Sequence, residues 1–109
     1  MSKIQIKDEE LNKVSGGKGE YNSVIDDVTI LKQDLNIRCA SIKSSTDFNR
    51  VITFLEGSIN DLTYNNTESA KRQLSNASQI LADLSSKYTD LESALLSFMN
   101  QIVYIITRI

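Results

Sequence analysis

Residues 70–109 read AKRQLSNASQILADLSSKYTDLESALLSFMNQIVYIITRI. Ala70, Leu74, Ala77, Leu81, Leu84, Tyr88, Leu91, Leu95, Phe98, Ile102, Ile105 and Ile109 recur in steps of four and three. Such steps hold apolar groups on one side of an α-helix, as a heptad seam. Ser75, Asn76, Ser78, Asp83, Ser85, Ser86 and Lys87 fall off the seam. The spacing predicts a single long helix from near Thr67 to near Ile109.

The preceding stretch carries shorter stripes. Tyr21, Val24, Val28, Leu31, Leu35 and Ile42 form one, with Cys39 between the last two; Phe48, Ile52, Leu55, Ile59 and Leu62 form another. The step from Ile42 to Phe48 breaks the rhythm. Ser44-Ser45-Thr46-Asp47 lies there, and Ser or Thr is suited to cap a new helix. Either one helix bends near residue 45 or two helices meet there. Tyr64-Asn65-Asn66-Thr67 separates the halves, with Asn65 and Glu68 spaced as a helix-start signal.

The expected fold is all-α. A flexible N-terminal leader, residues 1–17, precedes a helical cargo, residues 18–109. The cargo is expected to be a long antiparallel helical hairpin, or a three-helix bundle with a break near residue 45. The chain has 109 residues and no proline, so the strongest helix breaker is missing.

Composition excludes several chemistries. There is no histidine, so no histidine-based metal site or catalytic triad can form. Cys39 is the single cysteine, which precludes an intramolecular disulfide. Net charge is −2 with mixed signs, so there is no electrostatic footprint for nucleic acid. No cofactor is expected, and the lack of a nucleophile–base constellation argues against an enzyme.

Residues 1–17 read MSKIQIKDEELNKVSGG. Three Lys balance one Asp and two Glu, and no apolar run follows a basic start, so this is not a general secretory signal. Leu11 and Val14, three apart, share one helical face. Asp8, Glu9 and Glu10 suit the first turn of such a helix. Ser15-Gly16-Gly17 then stops it. A helix this short is marginal alone, so its stripe is suited to a groove on another protein. Gly16 and Gly17 lack a Cβ, and a peptidase with a narrow active-site tunnel would admit that backbone.

Ile6, Glu10-Leu11, Val14 and Gly16-Gly17 together resemble the double-glycine leaders of bacteriocin and peptide-pheromone precursors. The resemblance covers the first 17 residues. It implies a peptidase-containing ABC transporter as partner, whose papain-like cysteine peptidase domain grips Ile6, Glu10, Leu11 and Val14. That domain would cut between Gly17 and Lys18, with Gly16 and Gly17 in the tunnel. The chain would be made in the bacterial cytoplasm and the cargo secreted. The alternative for these residues is a capped N-terminal helix ending at a double-glycine stop.

The cargo also resembles, more weakly, the Trp-x-Gly helical hairpins of type VII secretion. Tyr88 and Glu92 match that family's Tyr-x-x-x-Asp/Glu spacing. Trp is absent, and Phe54-Leu55-Glu56-Gly57 stands nearest to the motif. Cys39 reads either as a small buried residue or as a thiol that pairs between chains. Gly57 marks either a close helix approach or a local fray.

Leu96, Met99, Val103, Tyr104 and Ile106 add apolar groups off the seam. Leu95–Ile109 therefore wants more burial than one partner arm provides. Either the rest of the chain covers it, or it meets a membrane, a second copy in a homo-oligomer, or another protein. Two functions follow: a secreted bacteriocin-like peptide, or a secreted helical-hairpin adaptor.

Overall fold

The computed structural model describes residues 21–109, which form four α-helices joined by short links. Helix α1 spans Asn22–Arg38, α2 Thr46–Thr63, α3 Thr67–Lys87 and α4 Glu92–Thr107. Single turns of 3-10 helix, Ala40–Ile42 and Thr89–Leu91, sit in the first and last links. Residues 1–20, and with them every residue of the expected leader, lie outside the described residues.

The break expected near residue 45 is present. Ser45 adopts an extended backbone, and its Oγ accepts the Phe48 backbone N–H at 3.3 Å, capping α2. Asp47 lies in the first turn, where its charge opposes the helix dipole. The chain thereby reverses, and the Lys32 ammonium of α1 lies 3.2 Å from the Glu56 carboxylate of α2.

The turn expected between the halves falls at Tyr64–Asn66, but Asn65 does not start a helix. Asn65 has φ of +66° and ends α2. Its N–H donates to the Leu62 carbonyl at 3.2 Å, and the Asn66 N–H reaches back to Asp61 at 2.8 Å. This is the reciprocal closure that a left-handed residue permits after a helix. Asparagine adopts that conformation at little cost, so the stop needs no glycine. Asn66 flanks α3 without a side-chain cap.

The expected unbroken helix from Thr67 to Ile109 is corrected. It ends at Lys87, turns through Tyr88–Leu91 and restarts at Glu92. Leu91 N–H donates to the Tyr88 carbonyl at 2.9 Å within that turn. The seam runs through the turn without losing its rhythm, because one turn of 3-10 helix also advances by three residues. Folding back brings α4 antiparallel along α3. The two expected arms are thus each broken once, and α2 and α3 form an antiparallel hairpin about Asn65.

Helix α3 packs most extensively on α2 and α4, while α1 closes the layer more loosely against α2 and α4. The core consists of Leu31, Leu35, Phe48, Leu55, Leu74, Leu81, Leu95, Phe98 and their neighbours, all buried. Burial of each such side chain contributes about 1.5–3 kcal/mol. The α2 seam differs from expectation: Phe48, Val51, Leu55, Ser58 and Leu62 face the core, with Ile52 and Ile59 half-buried beside it. Ser58 is tolerated inside because its hydroxyl donates to the Leu55 carbonyl at 2.7 Å. Helix α3 buries Ile80 and Ser85 in addition to its seam, since it has a neighbour on two sides.

Candidate functional site

Helices α1 and α4 pack on each other more loosely than α3 packs on α2 or α4. Their axes run antiparallel, as two contacts show. Near one end Arg108 donates to the Asp27 carboxylate and, at 3.0 Å, to Ser23 Oγ. Toward the other end the Arg38 guanidinium lies 5.2 Å from the Phe98 ring centre. Beside these contacts lies an open groove of about 710 Å³, lined on α1 by Asp27, Ile30 and Leu31 and on α4 by residues from Ser93 to Arg108.

Leu31 and Ile105 contribute buried apolar surface to it, and Ile30, Leu96 and Tyr104 line it further. Ser93, Ser97, Asn100 and Gln101 add polar groups. Ile30 is 54% exposed and Tyr104 64% exposed, unusual for large apolar groups at a helix junction. Ile37 lies seven residues beyond Ile30, on the same side of α1, and is 73% exposed. Its volume lies within the range of ligand sites, and its surface joins an apolar strip to a few convergent polar groups.

Charge at the groove is balanced. Asp27 and Arg108 are its charged lining residues and they pair with each other. The hydrogen bond that Arg108 donates to Asp27 raises the guanidinium above its already high ordinary value, so it stays charged. Gln101 Nε2 donates to Ser97 Oγ at 3.4 Å. Neither serine in the lining has a base beside it, since the single lining carboxylate is held by Arg108. Such a surface can hold an apolar guest and orient it by amide and hydroxyl contacts.

The C-terminal segment Leu95–Ile109 divides between two environments. Leu95, Phe98, Ile102 and Ile105 are buried, and Met99, Ile106 and Ile109 are partly buried against the core. Val103 and Tyr104 face outward. Intramolecular packing therefore covers the seam and part of the apolar surplus, Met99 and Ile106, and leaves Val103 and Tyr104 exposed. Among the described residues no helix is long and apolar enough to cross a membrane. No group of His, Cys, Asp and Glu among them could hold a metal ion.

Ile6, Glu10, Leu11, Val14, Gly16, Gly17 and Lys18 all lie outside the described residues, so the proposed recognition and cleavage positions have no geometry here. Cys39 is fully buried, packed in the core with Leu35 and Ile42, and burial raises its thiol above the ordinary value, opposed by the charge of Arg38. Gly57 sits inside α2 at a close approach: a Cβ there would lie 2.3 Å from Gln73 Oε1 of α3. Phe54–Gly57 is helix interior rather than turn. Tyr88 occupies the α3–α4 link and Glu92 opens α4, so their spacing spans a chain reversal.

On the α1 side of the groove, Leu31 belongs to the stripe read from the sequence, whereas Asp27 and Ile30 lie off it and carried no signal. Comparison with protein-family models, with curated proteins and with solved structures finds no match.

Proposed function

We propose that the chain is the precursor of a secreted bacteriocin-like protein. It is made in the bacterial cytoplasm, recognised through residues 1–17, cut after Gly17 and exported by a peptidase-containing ABC transporter. The observation that carries the proposal is the joint spacing of Ile6, Glu10-Leu11, Val14 and Gly16-Gly17. A lone Gly-Gly would carry nothing; the apolar positions upstream make the constellation specific. Helix α1 begins at Asn22, so a cut between Gly17 and Lys18 removes no residue of a described helix.

The test is incubation of the full chain with the peptidase domain of such a transporter, followed by intact-mass measurement. Loss of residues 1–17 supports the proposal. A cut elsewhere, or none, removes it.

The groove between α1 and α4 favours a second reading of what the cargo does outside the cell. An apolar strip with convergent amides suits an adaptor that binds another protein better than an agent that disrupts bilayers. The cargo has nine basic and eleven acidic residues, so it lacks the basic excess that draws helices to anionic lipid. Dye release from anionic vesicles separates the two: leakage on addition of the cut cargo opposes the adaptor reading.

A further inference from the structure

We propose that in the uncut chain residues 4–14 occupy the groove between α1 and α4, seating Leu11 and Val14 against Ile30 and Tyr104. Three observations carry this beyond the export proposal, and it holds whether or not Gly17 is ever cut.

The first is attachment. Ser23, two residues after Tyr21, contacts Arg108 at one end of the groove. The twenty preceding residues therefore join the bundle at the groove's mouth. The second is reach. Seven residue steps lead from Val14 to Tyr21 and span at most roughly 25 Å. The groove runs along α4 from Arg108 to Ser93, about 22 Å at helical rise. Val14 can thus be seated anywhere along it. The third is matching chemistry. The groove presents an apolar strip whose two charges are paired, and residues 1–17 sum to zero charge with Leu11 and Val14 three positions apart in the sequence. No charge opposes docking, and the apolar surface removed from water favours it.

A second copy of the chain is the rival occupant. A segment tethered at the groove's mouth works at an effective concentration in the millimolar range, which a free partner at micromolar concentration does not match. The same stripe that a transporter would grip is then held by the cargo until the transporter competes for it.

The test places a benzophenone amino acid at Tyr104 of the full chain, a position already exposed to solvent. Isotopically light and heavy chains are mixed, irradiated, digested and mapped by mass spectrometry. The expected result is a cross-link to residues 4–14 of the same chain. In the Leu11→Asp/Val14→Asp background its yield should fall about tenfold or more, because a carboxylate resists apolar burial. Cross-links between light and heavy chains, or none to residues 4–14, overturn the proposal. An unchanged yield in the double variant overturns it also. A chain cut normally after Gly17 that gives no such cross-link sinks the docking alone. A chain that cross-links but is not cut sinks the export proposal alone.

Discussion

Replacing Gly57 by alanine tests its contact with Gln73, between α2 and α3. Alanine in a helix interior is favoured over glycine by about 1 kcal/mol, so propensity alone predicts a more stable protein. Packing predicts the reverse. The added Cβ would fall 2.3 Å from Gln73 Oε1 and 2.7 Å from its Cδ, so the carboxamide must move. Moving it breaks the 2.8 Å bond from Gln73 Nε2 to Asp61. A hydrogen bond to a charged group contributes about 1.5–3 kcal/mol, and the lower end applies where both partners are half-buried. Gln73 is long and flexible, so its carboxamide can swing to another staggered rotamer at little further cost. The net expectation for Gly57→Ala is a loss of roughly 0.5 kcal/mol, a fall in Tm of about 2–4 °C. In a Gln73→Ala background the obstacle is gone, and the same change should stabilise by about 1 kcal/mol. Urea denaturation of the four proteins in this cycle measures the coupling. Equal stabilisation by Gly57→Ala in both backgrounds would refute the obstruction of a Cβ at Gly57 by the hydrogen-bonded Gln73 carboxamide.

Phe98→Ala should destabilise by about 3–5 kcal/mol, read as a fall in the urea midpoint, because the ring is buried in the core. Burial raises the Cys39 thiol above its ordinary value of 9.0, so the unfolded chain loses that proton first as pH climbs. Stability should therefore fall above about pH 9, and Cys39→Ala should flatten that alkaline limb in denaturation midpoints taken at about pH 8 and about pH 10. Native Cys39 should also resist thiol reagents until the bundle opens; rapid labelling of the folded protein would contradict its burial. Leu11→Asp should block cutting after Gly17, and replacement of Gly16 by tryptophan should do the same, both measured by product mass. Normal cutting of the first would contradict recognition through an apolar anchor, and of the second the narrow tunnel.

Much of the bundle was legible in the sequence because periodicity reports burial. Ala70, Leu74, Ala77, Leu81 and Leu84 are buried as their spacing requires, and so are Leu95, Phe98, Ile102 and Ile105. Periodicity does not report where a helix ends. The seam crosses Tyr88 and Leu91 at unchanged spacing while the backbone reverses, so the turn left no gap in it. A signal was present in the surplus apolar groups of residues 95–109, which one partner arm could not cover. Folding back against α3 covers Met99 and Ile106 in part, while Val103 and Tyr104 stay exposed.

The α2 stripe shows a second limit. Val51 and Ile52, or Ser58 and Ile59, complete the same four-three rhythm, and hydropathy favoured the isoleucines. Ser58 goes inside because it satisfies its own hydroxyl on the helix backbone. Asn65 shows a third: its left-handed conformation terminates α2, although its spacing to Glu68 imitated a helix start. The groove was partly legible, through Leu96 and Tyr104 on α4 and Leu31 on α1, but Asp27 and Ile30 were not. A single isoleucine off the stripe is unremarkable until the structure shows it beside a groove.

The decisive measurement is the N-terminus of the protein recovered outside cells that carry both this chain and a peptidase-bearing transporter. Mass spectrometry should find a product that starts at Lys18. Extracellular protein that still carries Met1–Gly17, or that starts at another residue, would contradict leader-directed export.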